Sequence, residues 1–497
     1  MVSTSSGSAD ILHLPLEQLA LVSMRRLREH RVLERAAQST LYFEKWRAAG
    51  IRVEDIETEE DFSRIPLITS QDLRKAINED PLEKVLCSNT VLHWFSTTGT
   101  TGMPKWIPYG RRDLELYMEI RDRCSSLFAS REGLKGFAVS AVAPFVEAAL
   151  AAFEKIRVMQ TGKHVEGLII SFTEAENDPV NFALDLKPNF IAAFPGFAAR
   201  FAEIIEEKAP QIARQKFREE KSLGNLVAYL VTRVKKIRPK NLSGFRFGLF
   251  GGEPLAPYRE ALKRTFGFEP IEMYNLTESI YPAIECHMHD GMHLWMDVCL
   301  PEIIPQEELD REIGSNAYTP RAIPLWRAGQ GLKGEYVLTT FGEVLPLIRY
   351  RTGDLIKVVS TERCRCGITH PRIKVPRRSD ATICLGAVRF PAAELNKKLL
   401  AKTIHGEAQR WQLRIEREGY RPKPIIRLEP RGEISDRDLF LQEISKRLMD
   451  LEILRAGIEN KLVVEPVILL EKKIPVEGRV VTEAGRVIYG GENGEHY

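Results

Sequence analysis

Apolar and polar positions alternate along this chain in blocks whose period changes. Over residues 14–49 apolar positions recur at helical spacing among mixed charges, with Trp46 near the end and Gly50 as a stop. Thr69 and Asp72 form a Thr-x-x-Asp start signal just after Pro66, which predicts a further helix. An apolar, β-favouring run then opens VLHWFSTTGTTGMPK (91–105), whose second half is small hydroxylated residues and glycines. Between 137 and 194 strand-like and helix-like segments alternate (GFAVSAVAP, ALAAFEKI, EGLIISF, PNFIAAF), the pattern of a layered α/β sheet. FRFGLFGGEP (245–254) reads as a strand, with Phe245, Phe247 and Leu249 alternating, that ends in a Gly-Gly turn. PIEMYNLTES (270–279) is a second strand-to-loop unit, and GEYVLTTF and LPLIRYRTGDLIKVV are further strands. Beyond about residue 376 the pattern becomes a smaller α/β unit, with helices near 392–401 and 436–449.

The expected fold class is α/β (α+β in several subdomains): a large N-terminal domain of layered β-sheets and helices and a small, mobile C-terminal α/β domain. Residues 1–10 are small and polar, hence a disordered tail. The N-terminal domain covers 11–376, a hinge 377–380, and the lid 381–497.

Composition narrows the class. The chain has 497 residues, 44% hydrophobic and 28% charged, which suits a soluble globular protein with large cores. With 71 Lys+Arg against 68 Asp+Glu the net charge is +3, so a broadly basic nucleic-acid binder is excluded and no nucleic-acid partner is expected. The N-terminus lacks a signal-like apolar region and no apolar run reaches the ~18 residues of a membrane span. A cytoplasmic protein with reduced thiols and no membrane partner is therefore expected. Charge is uneven, however. Residues 208–240 carry ten Lys/Arg and two Glu, a local +8. This reads either as a solvated helix pair or as a docking face for an anionic ligand or an acidic protein.

Chemistry concentrates in Ser96-Thr97-Thr98-Gly99-Thr100-Thr101-Gly102-Met103-Pro104-Lys105. Phosphate binding needs closely approaching backbone N–H groups, hydroxyl donors and a cation; glycines, Ser/Thr and Lys105 supply these in turn. The Walker A spacing is absent. The string resembles the phosphate loop of the acyl-adenylate-forming (ANL) superfamily. Tyr274-Asn275-Leu276-Thr277-Glu278, Tyr350-Arg351-Thr352-Gly353-Asp354-Leu355 and Arg378-Ser379-Asp380 resemble three further elements of that family, in order. IPLITSQDLRK, the CRCG–PRI segment and LGAVRFPAAEL are similar to its phenylacetate–CoA ligase branch, over about residues 40–480.

The resemblance implies ATP- and Mg²⁺-dependent adenylation of a carboxylic acid, then thioester formation with CoA. The loop from Ser96 to Gly102 would bind the nucleotide, with Thr98 to Lys105 holding the β- and γ-phosphates. Glu278 would hold Mg²⁺, and Thr277 would donate to the α-phosphate. Asp354 would accept from the ribose, Gly252-Glu253-Pro254 would lie against the adenine, and Tyr274, Asn275 and Arg378 would complete the nucleotide site. Asp380 would be the hinge. One departure matters. Where the family places a catalytic lysine in a Pro-x-x-x-x-Gly-Lys context, this chain has Arg479, with Lys472 or Lys473 as substitutes by a loop shift.

Cys364 and Cys366 offer two thiolates from one turn, and zinc wants four N/S ligands. Cys286 and His293 are the best distant partners, a set that some members of the resembled branch carry; His287, His289 and His370 are rivals. Such a zinc would be structural. The acid pocket is expected at FIAAFPGFAARF (190–201), with Phe194, Gly196 and Phe197 beside an aryl or arylacetic acid, although such aromatics also suit a plain core. Three functions are in play: an AMP-forming acyl-CoA synthetase, adenylation with transfer to a carrier protein or amine, or a non-catalytic nucleotide- or acyl-binding homologue motivated by Arg479. A homodimer is a further expectation.

Overall fold

The structure is a computed structural model and describes residues 11–96, 105–116, 120, 136–140, 167–171, 188–242, 244–279, 282–314, 318–378, 382–472 and 474. The tail 1–10, the phosphate-loop residues 97–104, the ALAAFEKI segment, Asp380 and Arg479 lie outside them.

The first helical stretch is three helices, α1 (Leu16–Glu29), α2 (Val32–Ala36) and α3 (Thr40–Ala48). The break falls at Arg31, whose φ of 48° is left-handed and ends a helical run without a glycine to announce it. Gly50, with φ 64°, stops α3 as the sequence predicts. Helix α4 (Ser70–Glu79) starts on the expected capping box: the Thr69 hydroxyl accepts from Asp72 N–H and the Asp72 carboxylate accepts from Thr69 N–H.

A two-stranded antiparallel ribbon follows, β1 (Val91–Ser96) with β2 (Trp106–Gly110), and Ser96 pairs with Trp106. The strands of the main sheet are β3 (Gly136–Ser140), β4 (Gly167–Ser171), β5 (Phe190–Ala193), β6 (Phe247–Gly251), β7 (Pro270–Tyr274), β8 (Ala283–Glu285), β9 (Met292–Leu294), β10 (Cys299–Pro305), β11 (Ile323–Pro324), β12 (Lys333–Thr340), β13 (Tyr350–Ser360) and β14 (Arg372–Arg378). They form one twelve-stranded sheet in the order β11-β10-β12-β13-β14-β9-β8-β7-β6-β5-β3-β4. The half from β4 to β7 is parallel and the rest antiparallel.

Between β5 and β6 run α5 (Pro195–Glu219) and α6 (Leu223–Val234), and α7 (Arg259–Phe266) joins β6 to β7. Central parallel strands are covered on both faces. Leu249 of β6 packs against the core that holds α1–α4, while Phe250 belongs to the core under α5 and α7. The main sheet ends with β14, and a second unit begins with the ribbon β15 (Thr382–Leu385) and β16 (Val388–Pro391). It continues through α8 (Ala392–Leu400), β17 (Ala408–Glu418), β18 (Arg421–Pro430), α9 (Arg437–Met449), α10 (Glu452–Glu459) and β19 (Val467–Leu470), around a core of Trp411, Phe440, Ile444 and Leu448. The two helices expected near 392–401 and 436–449 are α8 and α9. Among the described residues no helix is long and apolar enough to cross a membrane.

Candidate active site and metal centre

Parallel strands end on one edge of their sheet, so the loops after them converge. Here the carboxyl ends of β5, β6 and β7 deliver Phe194, Gly252-Glu253-Pro254 and Tyr274–Glu278 to a common edge. The antiparallel half brings β13, with Tyr350 and Asp354, alongside.

Lys105, just before β2, is buried and forms an ion pair with the Glu278 carboxylate. The Tyr350 hydroxyl donates to Glu278 Oε1 at 2.8 Å and accepts from Lys105 Nζ at 2.8 Å. Burial alone would raise the Glu278 carboxyl; the Lys105 ammonium and the Tyr350 hydroxyl outweigh it and hold the group below its usual range. A short turn sets the loop, with Leu276 and Ser279 exchanging backbone hydrogen bonds at 3.3 Å. The Tyr109 hydroxyl of β2 donates to the Thr277 carbonyl at 2.6 Å and fixes that turn against the ribbon. Next to this cluster, the Tyr274 hydroxyl donates to Asp354 Oδ2 at 2.6 Å, and Asp354 stands opposite Arg378 in the β13–β14 register. Residues spread over more than 240 positions of sequence therefore share one site.

Other expected residues are placed differently. Glu253 is buried, and its carboxylate accepts from Gly196 N–H at 2.9 Å and from the Tyr258 hydroxyl at 2.9 Å. Phe194, the N-cap of α5, offers no side-chain cap, so Glu253 caps that helix from another segment. Gly252 has φ +86°, and a Cβ there would lie 2.2 Å from the Phe194 ring, so the turn and the aromatic fit only with glycine. Phe197 is packed in the α5 core with Phe201 and Tyr258, the plain-core placement. Phe194 is half-buried at its margin. Ser96 and Arg378 are described by backbone position alone, at the ends of β1 and β14. Tyr109 and Tyr258 escape a sequence reading, and Tyr350, which opens the Tyr350–Leu355 string, is given no role by it. Phenols in apolar runs look like core, and only their long-range partners reveal a polar task.

The candidate metal ligands come together at the other end of β13. Cys286 follows β8, His293 lies on β9, and Cys364 and Cys366 sit in the β13–β14 turn. Their ligand atoms all lie within 4.8 Å of one another. Cys286 Sγ and Cys364 Sγ are 3.9 Å apart, and Cys366 Sγ and His293 Nε2 are 3.4 Å apart. A tetrahedron with Zn–S of about 2.3 Å and Zn–N of about 2.05 Å has edges of about 3.8 Å and 3.6 Å, so the donors fit. His293 Nδ1 lies 3.2 Å from the His370 carbonyl, which leaves Nε2 to face the thiols. The rivals are elsewhere: His370 Nδ1 accepts from Met296 N–H at 3.1 Å, and His289 engages Glu285 at 3.0 Å. His287 is exposed and outside the cluster. Burial lowers the His293 imidazole to about 4, keeping it neutral, and raises the Cys286 thiol to about 12.

Residues 29–147 match the model of the GH3 family N-terminal domain. The chain is 25% identical to the phenylacetate-coenzyme A ligase of Thermus thermophilus over 463 residues, covering 89% of this chain and 88% of that protein. It is also 25% identical to the phenylacetate-coenzyme A ligase of Escherichia coli K12 over 430 residues, covering 84% of each. In fold it is similar to a 2-hydroxyisobutyryl-CoA ligase in complex with 2-HIB-AMP and CoA, at TM-score 0.63 and 20% identity over 98% of this chain and 94% of that one. The acyl acid amido synthetase AtGH3.15 aligns at TM-score 0.54 and 15% identity, over 95% and 90%. The architecture and the converging motifs are ANL-like, similar to those of acyl-adenylate-forming enzymes. Within that type the chain is phenylacetate–CoA ligase-like.

Proposed function

We propose that the protein is an AMP-forming acid–thiol ligase that adenylates a carboxylic acid with ATP and Mg²⁺ and passes the acyl group to CoA. The observation that carries this reading is the contact of Lys105, Glu278 and Tyr350 beside the Tyr274–Asp354 pair. In the first step the acid's carboxylate oxygen attacks the α-phosphorus, the bond to the β-phosphate breaks, and pyrophosphate leaves. In the second the CoA sulfur attacks the acyl carbon, its proton passes to solvent, and AMP leaves.

Lys105 neutralises the β- and γ-phosphates, together with the 97–102 segment, and so must leave Glu278. Glu278, freed of that partner, would hold Mg²⁺, which when bound would supply charge neutralisation at the triphosphate. Tyr350 stays with the carboxylate and orients it. Thr277 donates to the α-phosphate, Asp354 accepts from the ribose, and Asn275, Gly252-Glu253-Pro254 and Arg378 bound the nucleotide. Glu253 faces the nucleotide through its backbone, while its carboxylate caps α5. The acid is aryl or arylacetic, with Phe194 and Gly196 at its edge. Arg479 takes the bridging role of the missing lysine, and Asp380 is the hinge between the two half-reactions. Cys286, His293, Cys364 and Cys366 would hold a zinc ion in a structural role, since four protein ligands would leave no open position.

A second reading, transfer of the same adenylate to an amine, draws support from the GH3 match and the amido synthetase neighbour. Pyrophosphate release over a panel of aromatic and aliphatic acids, with and without CoA, tests both. Acid-dependent release with acyl-CoA formed is expected; release without acyl-CoA favours the amine. No release from any acid, in the parent or in Arg479→Lys, overturns adenylation and leaves the non-catalytic homologue. A faster Arg479→Lys variant identifies the arginine as a handicap.

A further inference from the structure

The basic 208–240 segment takes a form that its charge alone does not specify. The C-terminal half of α5 and the whole of α6 make a helical hairpin. Ser222 caps α6 by accepting from Asn225 N–H at 3.2 Å, Asn225 donates to the Glu220 carbonyl at 3.0 Å, and the Phe217 and Tyr229 rings stack at 6.3 Å. These contacts use one side of α6. No residue of α6 is buried.

The opposite side is apolar and open. Leu223, Val227, Leu230, Val231 and Val234 follow i, i+4, i+7, i+8, i+11 spacing, and each is between 39% and 87% exposed. Cations frame this stripe. Lys221 precedes it, Arg233 lies within it, and Lys235 and Lys236 follow it, with Arg214, Lys216 and Arg218 on the adjoining turns of α5. Among the described residues Lys221, Arg233 and Lys235 make no ion pair; Lys236 reaches Glu206 at 3.3 Å but stays largely exposed. The only acids between 208 and 240 are Glu219 and Glu220, at the hairpin bend.

We propose that the α5–α6 hairpin docks on an anionic lipid bilayer, with α6 lying in the headgroup plane and its Leu/Val stripe facing the acyl boundary. A short amphipathic helix with aliphatic residues on one face and Lys/Arg around them is what such a surface retains. A second copy of the chain is disfavoured, because two +8 segments would meet. A specific protein interface is disfavoured too. It takes about 20–30 residues a side and favours Tyr, Trp and Met at its centre, whereas this stripe is five Leu/Val side chains. The stripe escapes hydropathy reading because α6 has twelve residues, and the proposal departs from the expectation of no membrane partner, which rested on the lack of a long apolar run.

Co-sedimentation of the full chain with phosphatidylcholine vesicles, alone or carrying about 30% phosphatidylserine, tests the proposal. Sedimentation with the anionic vesicles only, weakened by salt, is expected. Val227→Glu/Leu230→Glu should reduce it about tenfold or more, and Lys235→Glu/Lys236→Glu should do the same. Circular dichroism melts and acid-dependent pyrophosphate release serve as controls and should match the parent. No sedimentation of the parent, equal sedimentation of the variants, or equal binding to neutral vesicles overturns the proposal. So does a concentration-dependent dimer on gel filtration that Leu230→Glu dissolves.

Discussion

Asp113, three residues past β2, is buried, and its carboxylate accepts from Gly110 N–H at 2.7 Å and from Glu343 N–H at 2.7 Å. Burial pushes its pKa up to about 6 despite those donors. A carboxyl with a raised pKa holds its proton more tightly in the folded state. The stabilisation is thus complete below the unfolded value of about 3.9 and is lost as pH rises through 6. About two units correspond to roughly 3 kcal/mol. Denaturant titrations of parent and Asp113→Asn at pH 4 and pH 7 should show the parent losing about that much relative to the variant; a constant difference would refute the assignment. At this scale the sequence was partly legible. Lys105, Glu278, Tyr274 and Asp354 stood out because their motifs fix residue type and order. Asp113 in GRRDLE reads as one more surface acid, since nothing local reveals that Glu343, 230 positions away, donates to it.

Elements were more legible than their joints. Strands β5, β6, β7 and β13 each announced themselves by an apolar run and a turn, and α4 by its capping box. The cut between α1 and α2 did not, because Arg31 takes a left-handed conformation with no glycine. The cap of α5 was equally hidden, since it comes from Glu253 across 57 positions. The joint with the clearest test is the thiol cluster, which links the β8–β9 hairpin to the turn after β13, the strand that carries Asp354. If it holds zinc, metal analysis of the purified chain should give about one zinc, and Cys364→Ser should fall close to none with a lower thermal midpoint. Unchanged zinc in that variant would eliminate the ligand set. Supplying cobalt instead should produce the visible absorption of a tetrahedral thiolate site, lost in His293→Ala.

Across the whole molecule the second unit is latched to α5. The Tyr420 hydroxyl donates to Glu203, Arg421 pairs with the same carboxylate, and Lys461 reaches Glu207 at 3.4 Å. The Arg417 guanidinium lies 5.5 Å from the Tyr258 ring, and Tyr420 and Leu462 pack on the α5 core. The groups are partly exposed, so each pair is worth no more than about 1 kcal/mol. Together they set the orientation of the second unit on α5. Glu203→Lys turns attraction to Arg421 and Lys461 into repulsion. Solution scattering should give a radius of gyration near the ~23 Å of a compact chain of this length for the parent and a larger one for the variant. Equal radii would show that the latch does not hold the unit.

The N-terminal layer has a consequence of another kind. Tyr42 donates to the Pro346 carbonyl at 2.8 Å, Arg349 donates to the Ile65 carbonyl at 2.5 Å, and Ile68 bridges to Tyr350. Thr369 N–H donates to the Leu12 carbonyl at 3.0 Å, so the first helices are finished by residues that come as much as 357 positions later in the chain. A ribosome adding about 5–20 residues per second spends roughly 15–60 s on the ~280 residues between Ile68 and Arg349. Throughout that interval Leu33, Tyr42, Trp46 and Phe62 have no complete core to enter. This chain, although its helices are made first, must close its first layer among the last, and its nascent form exposes those apolar faces to whatever binds unfinished proteins.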